Sequence, residues 1–483
     1  MKVILAASEC VPFVKTGGLA DVVGSLPKAL QANGVQARVI MPLYGQIDAQ
    51  WRNQMTLRQV FYVQMGWRQQ YCGLFELEYE GIVYYFLDNE YFFRREYVYG
   101  LGGDEGERFS FFSKAVLEAL PHIDFMPDVL HCHDWQAGMI PVLLATQYRH
   151  LPLYAHVRTM MTTHNLQYQG IFSIDEIEEY LSLGWDMFTS DKLEFYGMCN
   201  FMKGGMTYAD AVTTVSPTYA QEITTPYYGE RLEGLICARG DAVTGVLNGI
   251  DIHEYNPETD ADIAKPYTYA TLVRKQENKA ALQAEMGLEQ RPEAALIGMV
   301  TRLSSQKGLE LVEYVLEELL REEDVQLAVL GVGEDRYVEL FNWAQWKYPG
   351  RVAARIEMNH GLAHRIYAGS DAFLMPSKFE PCGLSQLIAM RYGTLPIARE
   401  TGGLRDTVFS YNETTGTGNG FTFSNYNAHD MLYTIRRAIS VWRGDAKAWK
   451  ALQKRAMAGD YSWVKSAGVY AQLYEKIRWK GEE

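Results

Sequence analysis

The hexapeptide Thr-Gly-Gly-Leu-x-Asp occurs twice, at Thr16–Asp21 and Thr401–Asp406, each time after an apolar run that reads as a strand. A Gly-Gly pair lets backbone adopt positive φ and approach another group closely. Successive N–H groups in such a loop form a concavity suited to phosphate or sugar oxygens. Two ordinary tight turns are the plainer alternative. The length of the match, with Lys15 ahead of the first copy, favours binding. One copy near each end of a 483-residue chain points to two lobes that face a common cleft.

A chain of this length exceeds what one hydrophobic core organises, so two domains are expected. The first half alternates strand and helix signals. Val3–Ala7 reads as a strand, and Leu19, Val22, Val23, Leu26 and Leu30 recur at helical spacing. Gly24 and Pro27 inside that helix predict some bending, and Asn33-Gly34 ends it. Ala37–Leu43 is the next strand. Tyr71–Leu87 alternates around Glu80-Gly81 and reads as a hairpin insertion. Asp128–His131, Met160–Thr163 and Ala211–Val215 are short strands, each followed by a polar or glycine-containing loop. This is the pattern of a doubly wound α/β domain.

The pattern breaks at Asn248–Lys265, a polar, proline-containing stretch that reads as the interdomain linker. A second α/β series follows: strands at Ala294–Thr301, Gln326–Leu330, Asp371–Met375 and Thr394–Ala398, and a helix from about Leu309 to Arg321. Ser462–Trp479 reads as a helix with Val464, Ala467, Tyr470, Leu473 and Ile477 on one face. The expected domains are 1–250, joined by the closing helix at about 462–483, and 251–461.

The formal charge of −14 argues against nucleic acid as a partner, and requires that any anionic ligand meet locally concentrated cations. The amino-terminal apolar run is too short for a signal peptide. No run approaches the ~20 apolar residues that span a bilayer, so no membrane association is expected. Six cysteines form no C-x-x-C, and a cytoplasmic protein with reduced thiols is expected. The aromatic content of 13%, with 32 Tyr, suits a carbohydrate-handling protein.

Arg302 and Lys307 flank a loop that follows a buried strand and opens a helix. Two cations beside a helix amino terminus make a diphosphate site, at the strand ends where open sheets bind ligands. In Pro376–Leu384, Glu380 is placed to accept hydroxyl hydrogen bonds; a role as a helix N-terminal anion is compatible with this. His131-Cys132-His133-Asp134-Trp135 invites a metal reading, but no partner cluster with zinc spacing accompanies it. At least one of these histidines is expected to be structural, and Asp134-Trp135 reads as a sugar-contacting acid and platform. Thr163-His164-Asn165 offers three hydrogen-bonding side chains in a row.

Together these motifs closely resemble bacterial glycogen synthases and the related starch synthases. The resemblance runs nearly end to end, through Lys15–Asp21, His133–Trp135, Thr163–Gly170, Asn200–Gly205, Thr214–Pro217, Leu247–Asp251, Arg302–Gly308, Glu380–Leu384 and Tyr461–Trp463. It implies the GT-B architecture, two Rossmann-like doubly wound domains facing a deep cleft, with the final helix crossing back to the first. It also implies transfer of glucose from ADP-glucose to the non-reducing-end 4-hydroxyl of an α-1,4-glucan such as glycogen, with retention, and without metal or cofactor.

On that resemblance Arg302 and Lys307 would neutralise the departing diphosphate. Lys15, Gly17 and Gly18, with Asp21, would help hold the donor from the first domain. Glu380 would bind donor-glucose hydroxyls beside Cys382 and the amides of Gly383 and Leu384. Thr401 and Gly402 of the second hexapeptide would border the same ligand. His164 would contact the sugar near its 6-hydroxyl, and Asp134, Trp135, Asn165 and Asn248 would line the pocket. The chain departs from the family pattern at Met358, where a tyrosine platform for the base is common, at Tyr255, where tryptophan is common, and around Gly102-Gly103, where a tyrosine is replaced.

Three other readings are weaker. A same-fold transferase with a small acceptor would want an extra basic cluster for a phosphate. A nicotinamide dehydrogenase would want G-x-G-x-x-G after a strand, whereas Gly331-Val332-Gly333 runs into Glu334-Asp335-Arg336. A non-catalytic glucan-binding relative would not need Lys15, His164, Arg302, Lys307 and Glu380 intact.

Overall fold

The structure is a computed structural model and describes residues 1–100, 103–240 and 243–479. Residues 480–483 of the expected closing helix, and Gly102, lie outside the described residues. The chain divides into two compact units, Met1–Asn248 with the chain from Trp463 onward, and Gly249–Ser462.

The first unit is built on a nine-stranded sheet. Its centre is Lys2–Ala6, whose Val3, Ile4, Leu5 and Ala6 are fully buried because helices cover both faces of a parallel sheet. On one side it pairs in parallel with Gln36–Pro42, which pairs in parallel with Ile82–Asp88. On the other side lie Val129–His133, Arg158–Thr163, Ala211–Thr214 and Val243–Gly245, all parallel. The first strand thus sits between the second and the fourth parallel strands, and the winding reverses there.

The Glu80-Gly81 hairpin is present, with both tip residues at positive φ (50° and 76°) as a two-residue turn requires. It is not an insertion. Its second strand, Ile82–Asp88, belongs to the parallel sheet, and its first, Arg68–Tyr79, pairs antiparallel with Thr56–Met65 at the sheet edge. The helix Gly18–Ala32 runs through both Gly24 and Pro27. Gly24 is there for packing, since a Cβ would fall 2.3 Å from the Val11 side chain.

The closing helix, Trp463–Trp479, packs against Gly18–Ala32 in the first unit. Its buried stripe is Trp463, Ala467, Tyr470, Tyr474 and Ile477. Val464, expected on that face, is exposed, and Leu473 is only partly buried. Both stripes have helical spacing; the buried one carries the larger aromatic area.

The second unit is a six-stranded parallel sheet in the order Val352–Arg355, Val325–Leu330, Ala295–Val300, Ala372–Met375, Leu395–Arg399, Phe421–Phe423. In chain order this is 3-2-1-4-5-6, the doubly wound order, with its switch point between Ala295–Val300 and Ala372–Met375. The polar stretch read as a linker divides the units only at its start. Its later part packs on the second unit, where Asp260 is buried and bonded to His364 and Tyr392. No helix of the described residues is long and apolar enough to cross a membrane.

Candidate functional site

The second unit's switch point carries a small cavity of about 50 Å³, bordered by Thr301, Lys307, Ser377, Glu380, Gly383 and Leu384. Lys307 ends a short 3₁₀ turn, and Gly308 after it has φ +69°. A Cβ at Gly308 would fall 2.0 Å from the carbonyl oxygen of Pro376, so glycine alone lets this loop approach the next strand end. The approach brings Lys307 Nζ to 2.6 Å from Glu380 Oε2, which also accepts from Ser377 Oγ at 2.9 Å. Glu380 is buried. Arg302 is exposed on the same loop and donates to Gln306 Oε1 at 3.2 Å.

Gly383 (φ +73°) and Leu384 lead into the helix Ser385–Arg391. Gln386 Nε2 clamps their loop by donating to the carbonyls of Cys382 and Gly383, both at 3.0 Å. The second Gly-Gly pair supports this loop from behind. A Cβ at Gly402 would meet the Glu380 carbonyl oxygen at 2.0 Å, one at Gly403 the Cys382 carbonyl oxygen at 2.0 Å, and Gly403 N donates to Glu380 O at 3.1 Å. Thr401 beside them is fully buried. The second hexapeptide therefore positions the Glu380 loop through backbone contact. Met358, 73% exposed, precedes the helix His360–Gly369.

In the first unit, the strand ends beside the switch point gather Asp134, His164 and the first hexapeptide. Asp134 has φ +56° and ψ 179°, a region a β-carbon resists, and such strain persists where the surrounding structure fixes it. Its Oδ1 accepts from the His164 amide at 2.7 Å. Burial pushes the carboxyl up to about 7, with nearby Glu9 adding to the rise and the His164 amide opposing it. His164 Nε2 lies 3.0 Å from His133 Nδ1. Burial lowers His164 and His131 to about 3 and holds His133 far down, so all three imidazoles are neutral near pH 7.

His131 is the structural histidine: one ring nitrogen contacts Tyr474 Oη at 2.7 Å and the other Thr162 Oγ1 at 2.6 Å. His133 Nε2, Thr163 Oγ1 and Asn248 Oδ1 are buried without hydrogen-bond partners among the described residues. Asn165 uses Oδ1 to accept from Gln167 N in a local turn. Trp135 is less open than a sugar platform would be: its ring packs on Phe109, Phe172 and Phe201, with centroids 5.0, 5.5 and 6.3 Å away.

Lys15 Nζ pairs with Asp21 Oδ1 at 2.7 Å within the first hexapeptide segment. The Gly17 amide is engaged by a residue the motif reading missed: Glu9, buried, accepts from Thr16 N at 2.5 Å and Gly17 N at 3.3 Å. Burial raises the Glu9 carboxyl despite these amides. Its location just past the first strand was the only sequence signal. Near the replaced tyrosine, the Tyr99 hydroxyl bonds Ser8 Oγ at 2.6 Å.

Residues 2–238 match the family described as starch synthase catalytic domain, and residues 286–455 that described as glycosyl transferases group 1. The chain is 55% identical to the glycogen synthases of Geobacillus thermodenitrificans and Geobacillus stearothermophilus over 482 residues, covering 100% of this chain and 99% of each relative. It is 53% identical to that of Bacillus cereus over 477 residues, 99% of this chain and 100% of the relative. Among solved structures, the catalytic domain of starch synthase IV from Arabidopsis thaliana bound to ADP and acarbose superposes with a TM-score of 0.92 at 34% identity, covering 99% of both chains. A sucrose-phosphate synthase from Thermosynechococcus elongatus, at 16% identity and TM-score 0.62 with 99% and 98% covered, shares the fold.

Proposed function

The chain belongs to the family of glycogen synthases and starch synthases, and from that premise we propose how its residues divide the work of the reaction. The protein is a retaining glucosyltransferase that elongates glycogen, moving glucose from a nucleotide sugar to the non-reducing-end 4-hydroxyl of an α-1,4-glucan. ADP-glucose is the proposed donor, and the neighbouring starch synthase with bound ADP supports that choice. The second unit, Gly249–Ser462, takes the donor, and the first, Met1–Asn248 with the closing helix, takes the glucan. Neither nucleic acid nor a membrane takes part, and the reaction belongs in the cytoplasm.

In the transfer, the acceptor 4-oxygen bonds to glucose C1 on the face from which the diphosphate departs. The C1–O bond electrons leave with ADP, whose phosphate oxygen takes the acceptor's proton. Charge grows on the diphosphate, and Lys307 with Arg302 meets it. The Lys307–Glu380 pair carries this reading: when Lys307 turns to phosphate, Ser377 still holds Glu380, whose oxygens then accept from donor-sugar hydroxyls. Cys382, Gly383 and Leu384 present backbone to the same ligand, and Thr401 and Gly402 keep that backbone in place.

In the first unit, neutral His164 offers a hydrogen bond near the sugar 6-hydroxyl without adding charge, and Asp134 fixes its loop. Asn248, Asn165, Lys15, Gly18 and Asp21 line the sugar and donor path. Trp135 and Gly17 act indirectly, through packing and through Glu9.

The test is glucose incorporation into precipitable glycogen, with ADP-glucose and UDP-glucose side by side. Incorporation from ADP-glucose alone is expected. Equal use of both donors would mean that Met358, in place of a tyrosine, has loosened base selection. No incorporation from either, with folded protein, would overturn the assignment.

A further inference from the structure

We propose that Glu254, His360 and His364 form a binding site for one borderline divalent cation, of the zinc, cobalt and nickel class, within the second unit. Each residue offers a donor atom, and these atoms all lie within 4.8 Å of one another. Glu254 Oε1 is 3.2 Å from His360 Nε2. Ligands that share an ion at tetrahedral bond lengths stand about 3.4 Å apart, so this pair is already at coordinating separation.

His364 supplies the second, independent observation. It is 3% exposed, its Nδ1 lies 2.7 Å from Asp260 Oδ2, and its Nε2 is buried with no hydrogen-bond partner. An acceptor on Nδ1 fixes the tautomer with the proton there and the lone pair on Nε2. That is how metal-bound histidines are oriented, with a carboxylate behind the ring. The Tyr392 hydroxyl also bonds Asp260 and holds the carboxylate in place.

The chain places the ligands economically. His360 and His364 stand one turn apart on the helix His360–Gly369, so their side chains share a face, with ring centroids 4.8 Å apart. Asn359 caps that helix, its Oδ1 accepting from Leu362 N at 2.9 Å. Glu254 comes from the irregular segment that opens the second unit. Side-chain exposures of 57% for His360 and 41% for Glu254 let water complete the coordination. Two imidazoles and one carboxylate favour zinc, cobalt or nickel over calcium or magnesium.

The consequence is a staple: the ion ties the segment around Glu254 to the helix that follows Met358. This site takes no part in the transfer chemistry and is independent of it.

The test is calorimetric titration of the chelator-treated full chain with zinc chloride, alongside Co²⁺ titration followed by visible absorption. One saturable site per chain is expected, with the d–d bands of a low-coordinate Co²⁺ centre. His360→Ala and Glu254→Gln change exposed residues and should each weaken binding by about tenfold or more. His429→Ala and Cys237→Ser, at an exposed histidine and the exposed cysteine, should leave it unchanged. Absence of saturable binding, retention in both ligand variants, or loss in Cys237→Ser would overturn the site.

Discussion

Lys307 Nζ donates to Glu380 Oε2 at 2.6 Å, so the cation assigned to the diphosphate and the carboxylate assigned to the sugar are one ion pair. Removing a preorganised donor aimed at developing charge typically costs ~3–4 kcal/mol, so Lys307→Ala should lower kcat by about a hundredfold or more. Arg302→Ala should behave alike. The combination Lys307→Ala with Glu380→Gln separates two roles. If Lys307 served only to neutralise Glu380, the double variant would regain activity; a phosphate-binding lysine predicts that it stays inactive.

Asp134 gives the first unit a pH signature. Its folded carboxyl sits at about 7, above the unfolded value, so folding favours the protonated form. The associated stability is present at low pH and is lost as pH rises toward 7. Between pH 5 and 7, Asp134→Asn should therefore gain on the wild type by roughly 1–3 kcal/mol. Unfolding curves for the two proteins measure this, because His131, His133 and His164 titrate in both and cancel. Parallel pH profiles would count against a buried, raised Asp134.

Tyr474→Phe removes the hydroxyl that meets His131 and leaves a buried ring nitrogen unpaired. The expected cost is about 1–3 kcal/mol, read as a lower thermal midpoint. Specific activity of the folded fraction should stay unchanged, since the pair lies in the core where the closing helix meets the sheet.

The two hexapeptides should respond differently to the same substitution. A Cβ at Gly17 meets nothing nearer than Glu9 Oε1 at 3.9 Å, whereas one at Gly403 falls 2.0 Å from the Cys382 carbonyl oxygen. Gly403→Ala should destabilise by roughly 1–3 kcal/mol and reduce activity by displacing the Glu380 loop. Gly17→Ala should stay within about 0.5 kcal/mol of wild type. Equal losses in thermal midpoint would contradict the division of labour between the copies.

The central strands were legible in the sequence because they are buried on both faces and so read as continuous apolar runs, Val3–Ala6 above all. Thr56–Met65 was not, since an edge strand with a solvated face has no such run. Val352–Arg355 and Phe421–Phe423 are too short to show a period. The closing helix was legible as a helix but not in its facing, because Val464 and Trp463 both fit a 3.6-residue repeat and only packing chooses between them. Lys307 and Glu380 stood out at strand ends, but their pairing spans a long stretch of chain and needed the sheet order. Glu9 and Gln386 act on backbone amides and carbonyls, and no motif announces that. The proposed metal ligands are hidden by distance along the chain: His360 and His364 share a helix, while Glu254 is remote in sequence.

The closing helix has a consequence for the order of assembly. The second unit is one continuous stretch, Gly249–Ser462, flanked on both sides by chain that belongs to the first, and Ile250 N donates to Tyr461 O at 2.8 Å where it begins and ends. During synthesis the first unit emerges first yet lacks Tyr470, Tyr474 and Ile477 until the last helix is made. The later-emerging unit is therefore the earlier one to have its whole core available. A released chain that ended shortly before Trp463 would carry the whole of the second unit and a first unit with an uncovered apolar flank, a surface open to aggregation.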